Sequence, residues 1–301
     1  MRPITPHLWF DTQALEAAEF YASLLPGSRV TSRSRLRGTP SGDCDLVSFE
    51  IGGQPFMAIS AGPAFRFNPS ISFFLNFDPS RDPQARRNLD AAWEGLIRGG
   101  EALMPLDKYP FSERFGWARD RFGLTWQLIL SRPEGDPRPF VVPSLMFTGD
   151  LAGRAEEALD FYASAFRDSR PGALRRRGQD MGPDKAGSLM FGDAFFGGAW
   201  IAAMDSAAPH GFGFNEAVSL LVPCDTQDEI DAMWQRLSAD PEGGQCGWTR
   251  DRFGVWWQVC PADMGRMLES PDEEARDRVT RAFLKMKKFD LAALRRAFEG
   301  A

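Results

Sequence analysis

The chain has 301 residues, a formal net charge of −6, and 43% hydrophobic and 25% charged residues. That supplies a sizeable core for two ordinary domains and excludes global disorder; the acidic balance excludes a general nucleic-acid binder. Four cysteines without a Cys-x-x-Cys pair suit a reducing compartment with no disulfide frame. No leader-like opening and no apolar run of membrane-spanning length are visible, so a cytoplasmic location with no membrane partner is expected.

In chain order, a strand over 4–10 precedes a helix over 14–24, with Ala14, Leu15, Ala18, Tyr21 and Leu25 as its apolar stripe. Strands follow near 29–36, 45–51 and 55–60, the last two joined by Gly52-Gly53. The order then restarts: strand 70–77, helix 83–98, strands near 103–106, 114–119 and 124–130. This is βαβββ twice. The last hairpin, GWARDRFGLTWQLI at 116–129, reads as strand, tight turn and strand, with Asp120 to Gly123 as the turn.

That phrase returns at 247–260 as GWTRDRFGVWWQVC. Other blocks also repeat. PHLWF at 6–10 answers PSLMF at 143–147, and EFYASLL at 19–25 answers DFYASAF at 160–166. FRFNPSISF at 65–73 answers FGFNEAVSL at 212–220, and LDAAW at 89–93 answers IDAMW at 230–234. The chain thus divides into a first half (1–132), a Pro- and charge-rich linker (133–140), a second half (141–270) expected to repeat βαβββ twice, and a helical tail (271–301). A single amphipathic helix is expected over 272–299, with Val279, Phe283, Met286, Leu291, Leu294 and Phe298 on its apolar side.

The paired βαβββ order, with the blocks ITPHLWFDTQALEAAEFYASLLPGSRV, EALMPLDKYPFSERFGWARDRFGLTWQLI, GQCGWTRDRFGVWWQVCP and AFLKMKKFDLAAL, resembles the vicinal oxygen chelate superfamily. That superfamily includes glyoxalase I, extradiol dioxygenases and bleomycin-resistance proteins; the closer resemblance is to its PhnB-like branch. It implies an α+β fold of four tandem modules whose curled mixed sheets form cups. Relatives commonly have one half and pair as homodimers, so this chain resembles such a dimer fused into a monomeric pseudo-dimer.

The resemblance also implies where a ligand would sit. In metal-dependent members the first and last strands of each module supply ligands, and the last-strand position is usually Glu. Here it is Gln127 and Gln258, four residues past each turn glycine. An amide is a neutral, weaker donor than a carboxylate. The remaining positions are His7 or Thr5 against Ser144, Ser60 aligned with Asp205, and Ser72 with Ser219. Without exchange between halves, one cup holds His7, Ser60, Ser72 and Gln127, the other Ser144, Asp205, Ser219 and Gln258. With exchange, His7 and Ser60 join Ser219 and Gln258. No arrangement gives two histidines and a carboxylate.

The expected ligand-binding set is His7, Trp9, Ser72, Gln127, Ser144, Asp205, Ser219 and Gln258, with no cofactor. Should a metal bind, His7, Asp205, Gln127 and Gln258 are the ligands to test. Cys260 falls on the face of Gln258; Trp256 is expected there only if its strand is irregular. Two functional readings follow: a metal-free small-molecule binder, or a divalent-metal-dependent lyase, isomerase or dioxygenase. A third leaves the cups filled by their own side chains. Relatives labelled ubiquinone-pathway methyltransferases offer no fourth, since no glycine-rich strand-to-helix loop is present for an adenosyl cofactor.

Overall fold

The computed structural model describes residues 2–132, 137–241 and 243–301. The expected linker therefore lies partly outside the described residues, at 133–136.

The first module is β1 (Thr5–Phe10), α1 (Ala14–Leu24), β2 (Arg29–Thr39), β3 (Gly42–Ile51) and β4 (Gln54–Ser60). The second is β5 (Ile71–Phe77), α2 (Ala85–Ile97), β6 (Glu101–Tyr109), β7 (Ser112–Arg119) and β8 (Thr125–Leu130). The third is β9 (Val141–Phe147), α3 (Ala155–Ala165), β10 (Arg170–Arg176), β11 (Leu189–Phe196) and β12 (Ala199–Asp205). Helix α1 illustrates the local logic. Ala14, Ala17, Ala18 and Tyr21 fall at helical spacing and are all buried, and Ser60 Oγ accepts from the Ala14 N–H at 3.1 Å.

The fourth module is shorter: β13 (Val218–Cys224), α4 (Gln227–Leu237), β14 (Trp248–Arg250) and β15 (Trp256–Pro261). Among the described residues its order is βαββ, a correction to the expected repeat. Trp93 and Trp117 lie 24 residues apart in the second module, whereas Trp234 and Trp248 lie 14 apart. The missing residues are those that form β6 and the start of β7.

The strands assemble into two mixed sheets, ordered β14-β15-β13-β1-β4-β3-β2 and β10-β11-β12-β9-β5-β8-β7-β6. Modules are therefore exchanged. The first sheet combines modules one and four through antiparallel β1 and β13, with His7 opposite Ser219. The second combines modules two and three through β5 and β9, with Ser72 opposite Ser144. The helix-bearing faces share one continuous core, in which Phe56 of β4 meets Phe73 of β5 at 5.2 Å between ring centroids. Each sheet's other face is a cup.

The expected 272–299 helix is broken. It comprises α6 (Glu273–Phe283) and α7 (Leu291–Glu299), preceded by a short α5 (Met264–Leu268). Asp290 caps α7 by accepting from the Ala293 N–H at 2.8 Å. The intervening segment bonds back to the loop before β14: Cys246 N–H to the Met286 carbonyl and Gly247 N–H to the Lys287 carbonyl, each at 2.7 Å. Gln245 Nε2 adds a bond to the Leu284 carbonyl. The tail thus occupies the side of the sheet from which a strand is missing. Gly247 permits the approach: its φ is +76°, and a Cβ there would strike the Phe289 ring.

Candidate functional site

The repeated Asp-Arg-Phe-Gly turn is a structural knot. Asp120 Oδ1 accepts the Phe122 and Leu124 N–H groups, while Oδ2 accepts from Tyr21 Oη and Trp126 Nε1, both at 2.8 Å. Asp251 repeats all four bonds with Phe253, Val255, Tyr162 and Trp257. Each knot ties the two modules of one half across the two sheets. Burial pushes both carboxyl pKa values up, opposed by the four donors.

The cup of modules one and four contains a cavity of about 700 Å³. Period-two alternation points Thr5, His7 and Trp9 of β1, and Pro55, Met57 and Ile59 of β4, into it. From β15 come Trp256, Gln258 and Cys260. Trp256 needs no strand irregularity to join Gln258, since residues two apart share a face. The far wall is the tail: Met264, Leu268, Phe283 and Phe289.

His7 is only 4% exposed. Burial brings its imidazole pKa down to about 4, so the ring is neutral near pH 7. Its Nδ1 is buried with no hydrogen-bond partner among the described residues; its ring meets Trp248 edge-on at 5.6 Å. Beside it Gln258 Nε2 donates to Ser219 Oγ at 2.9 Å. Burial pushes the Cys260 thiol up and Cys224 up to about 12, so neither supplies a thiolate near pH 7.

The cup of modules two and three is lined with bulky apolar side chains. Phe74, Phe115, Val142 and Ala202 form a buried cluster on its floor, with Met104, Trp117, Phe191, Trp200 and Met204 packed against it. Gln127 Nε2 donates to Ser72 Oγ at 2.8 Å, matching Gln258 and Ser219, and Ser144 lies opposite Ser72 with its hydroxyl buried. Over this cup Arg138 pairs with buried Asp193 at 2.7 Å and lies over the Trp200 ring at 3.7 Å.

The aligned pair Ser60 and Asp205 does not enter either cup. Both sit at the ends of their strands on the helix-bearing side. Asp205 Oδ1 accepts the Gly153 and Ala155 N–H groups at the start of α3, and Oδ2 accepts from Leu189. The β4 and β12 positions facing the cups, opposite His7 and Ser144, are Met57 and Ala202. Sequence reasoning missed both, because an apolar residue carries no donor signal. The four family ligand positions are therefore His7, Met57, Ser219 and Gln258 in one cup, and Ser72, Gln127, Ser144 and Ala202 in the other. One imidazole, alcohols, neutral amides and a thioether bring no negative charge, and these sets do not fit a divalent cation.

These are two cups on exchanged pairs of βαβββ-type modules, one enclosing a cavity of about 700 Å³ and the other carrying an aromatic cluster on its floor. A family model described as 3-demethylubiquinone-9 3-methyltransferase matches residues 2–129 and again 139–260, and the chain belongs to this family, the PhnB-like branch of the vicinal oxygen chelate superfamily, in two tandem copies. A Bacillus cereus structure described as a PhnB protein is 33% identical; the match covers 43% of this chain and 100% of that chain, with a TM-score of 0.39. Protein PA1353 from Pseudomonas aeruginosa is 23% identical over 44% of this chain and 98% of that chain, with a TM-score of 0.37. Glyoxalase I from Zea mays is 12% identical over 77% and 80%, with a TM-score of 0.49. Comparison with curated proteins returns no match. The methyltransferase wording describes the family model. Among the described residues, none of the turns leading into α1 to α4 carries the G-x-G-x-x-G that cradles a nucleotide-like cofactor.

Proposed function

We propose that this chain is a small-molecule-binding protein whose ligand lies, without metal, in the cup of modules one and four. The observation that carries this reading is an apolar cavity of about 700 Å³ with a neutral imidazole that no described residue hydrogen-bonds at its base. Ligand pockets are concave and mainly apolar, with a few convergent polar groups. The imidazole lines the cavity, so a polar group of a ligand there would meet it. Gln258 and Ser219 flank that point, and Trp9, Trp248 and Trp256 offer stacking surface. Of the expected binding residues, Ser72, Gln127 and Ser144 belong to the other cup, Asp205 to the helix side, and Ser219 is fully buried and bonded to Gln258, so the binding role is proposed for His7, Trp9 and Gln258.

The test is a thermal-shift screen of small aromatic and amphiphilic compounds, repeated on His7→Leu and Gln258→Leu. Binding predicts stabilisation that these variants weaken; no stabilisation by any compound would remove the reading. Elemental analysis of untagged protein, purified without chelator, addresses the metal-dependent alternative. A stoichiometric ion lost in His7→Leu would restore it.

A further inference from the structure

We infer that the open cup takes an organic cation with an apolar body, its charge seated at Glu216 beside Trp9 and Phe65. This rests on the binding reading above and names its ligand class.

The cavity has two distinct ends. Along β1, Thr5 pairs with Leu221 and His7 with Ser219, and the Trp9 N–H bonds the Ala217 carbonyl. Arg2, which precedes β1, therefore lies at one end and Glu216 at the other. Arg2 is the one permanently cationic side chain lining the cavity, and its guanidinium donates to the Ala262 carbonyl at 2.7 Å. Among the described residues Glu216 is the one carboxylate lining it. It is half-buried, and no described residue pairs with it.

The Glu216 end is built of aromatic rings at steep angles. Trp9 meets Phe65 at 5.0 Å and 78°, and Trp248 at 6.3 Å and 76°; Trp248 meets Trp256 at 6.4 Å and 62°. These rings line the cavity at the end that Glu216 closes, and aromatic surface beside a carboxylate attracts ammonium groups. The loop bearing Glu216 is held in advance. Asn215 Nδ2 donates to the Arg66 carbonyl, Asn215 Oδ1 accepts from Ala217, and Asn68 Nδ2 reaches the Gly213 carbonyl.

The remaining wall, with Leu36, Leu46, Ile59, Met264 and Leu268, is apolar and suits a hydrocarbon chain or ring. An anion placed near the aromatic end would meet Glu216 and no cation. A neutral ligand would leave that carboxylate half-desolvated and unpaired.

The experiment titrates decyltrimethylammonium, decanol and decanoate, each below its micellar concentration, and follows tryptophan fluorescence, since Trp9, Trp248 and Trp256 line the cavity. The cation is expected to bind about tenfold more tightly than decanol, with decanoate the weakest. Glu216→Gln should abolish the cation's advantage and leave decanol binding unchanged; circular dichroism and melting establish that the variant is folded. If decanol equals or exceeds the cation, or if Glu216→Gln keeps the preference, the charge assignment is overturned while the cup stands as a binding site. If none of the three binds, the binding reading itself falls.

Discussion

His7 concentrates the tension of the open cup in one side chain. Its folded pKa, about 4, lies below the free value of 6.5 because burial penalises the charged ring. Between those values the folded state binds fewer protons than the unfolded state. The stability present above pH 6.5 is therefore lost as pH falls toward 4, by about 3 kcal/mol if the full shift is realised. We expect His7→Leu to retain more of its neutral-pH stability than the parent. Urea denaturation of both proteins at about pH 7 and about pH 4.5 measures the difference, and equal losses would show that His7 is not the titrating group. At this scale the sequence was partly legible. The family's ligand positions pointed to His7, Ser219 and Gln258, and the structure brings them together because the modules are exchanged, one of the two arrangements left open. The sequence matched Ser60 with Asp205 correctly as repeats, since Phe10 pairs with Ser60 as Phe147 pairs with Asp205, but put them on the wrong face: the positions opposite His7 and Ser144 lie three residues earlier, and an odd offset turns a side chain to the other side of the sheet.

Among the elements, the two aspartate knots and the docked tail hold the cup in shape. In each knot a single carboxylate satisfies two backbone and two side-chain donors. Asp120→Asn turns an amide NH₂ toward at least one of those donors and should destabilise the protein by about 2–3 kcal/mol. Tyr21→Phe, which removes only one donor, should cost about 1 kcal/mol. Chemical denaturation of both variants tests the order, and equal effects would contradict it. The turn itself could be read from Asp and Gly spacing, but the partners could not: Tyr21 lies 99 residues from Asp120. The tail shows the same limit. Apolar spacing alone suggested one helix over 272–299, whereas the bonds from Met286 and Lys287 to Cys246 and Gly247 are tertiary and interrupt it. Gly247→Ala forces a side chain into Phe289 at a positive φ and should lower the melting temperature by several degrees. Limited proteolysis should then cut the 284–290 segment faster than in the parent. Unchanged cleavage would mean that the tail is held by α6 and α7 alone.

For the whole molecule, the exchange of modules decides how the chain folds. Each half alone leaves β1 and β5 without their partners β13 and β9, and unpaired central strands do not persist in water. Two fragments, 1–138 and 139–301, should therefore co-purify as a one-to-one complex when co-expressed. Sedimentation should give the mass of the intact chain, 33.5 kDa, which we also expect to be monomeric. Stable monomeric halves would contradict the exchange. The duplication was plain in the sequence, since collinear blocks repeat. The pairing was not, because a strand's own pattern reports which face is buried and not which neighbour lies beside it. The loss of one strand from the fourth module was encoded as the shorter interval from Trp234 to Trp248.

The inequality of the two cups has a consequence for how such a protein can change. In a homodimer built from one gene, every substitution is written into both cavities, and neither can be altered without the other. Here the two are encoded separately. Met57 stands where the other cup has Ala202, and His7 where it has Ser144. One cup carries an aromatic cluster and the Arg138–Asp193 pair, while the other encloses a cavity of about 700 Å³. Two copies in one chain let the two cups diverge, so that, on the binding reading proposed above, substitutions in the cup with the cavity can alter its ligand without being written into the other.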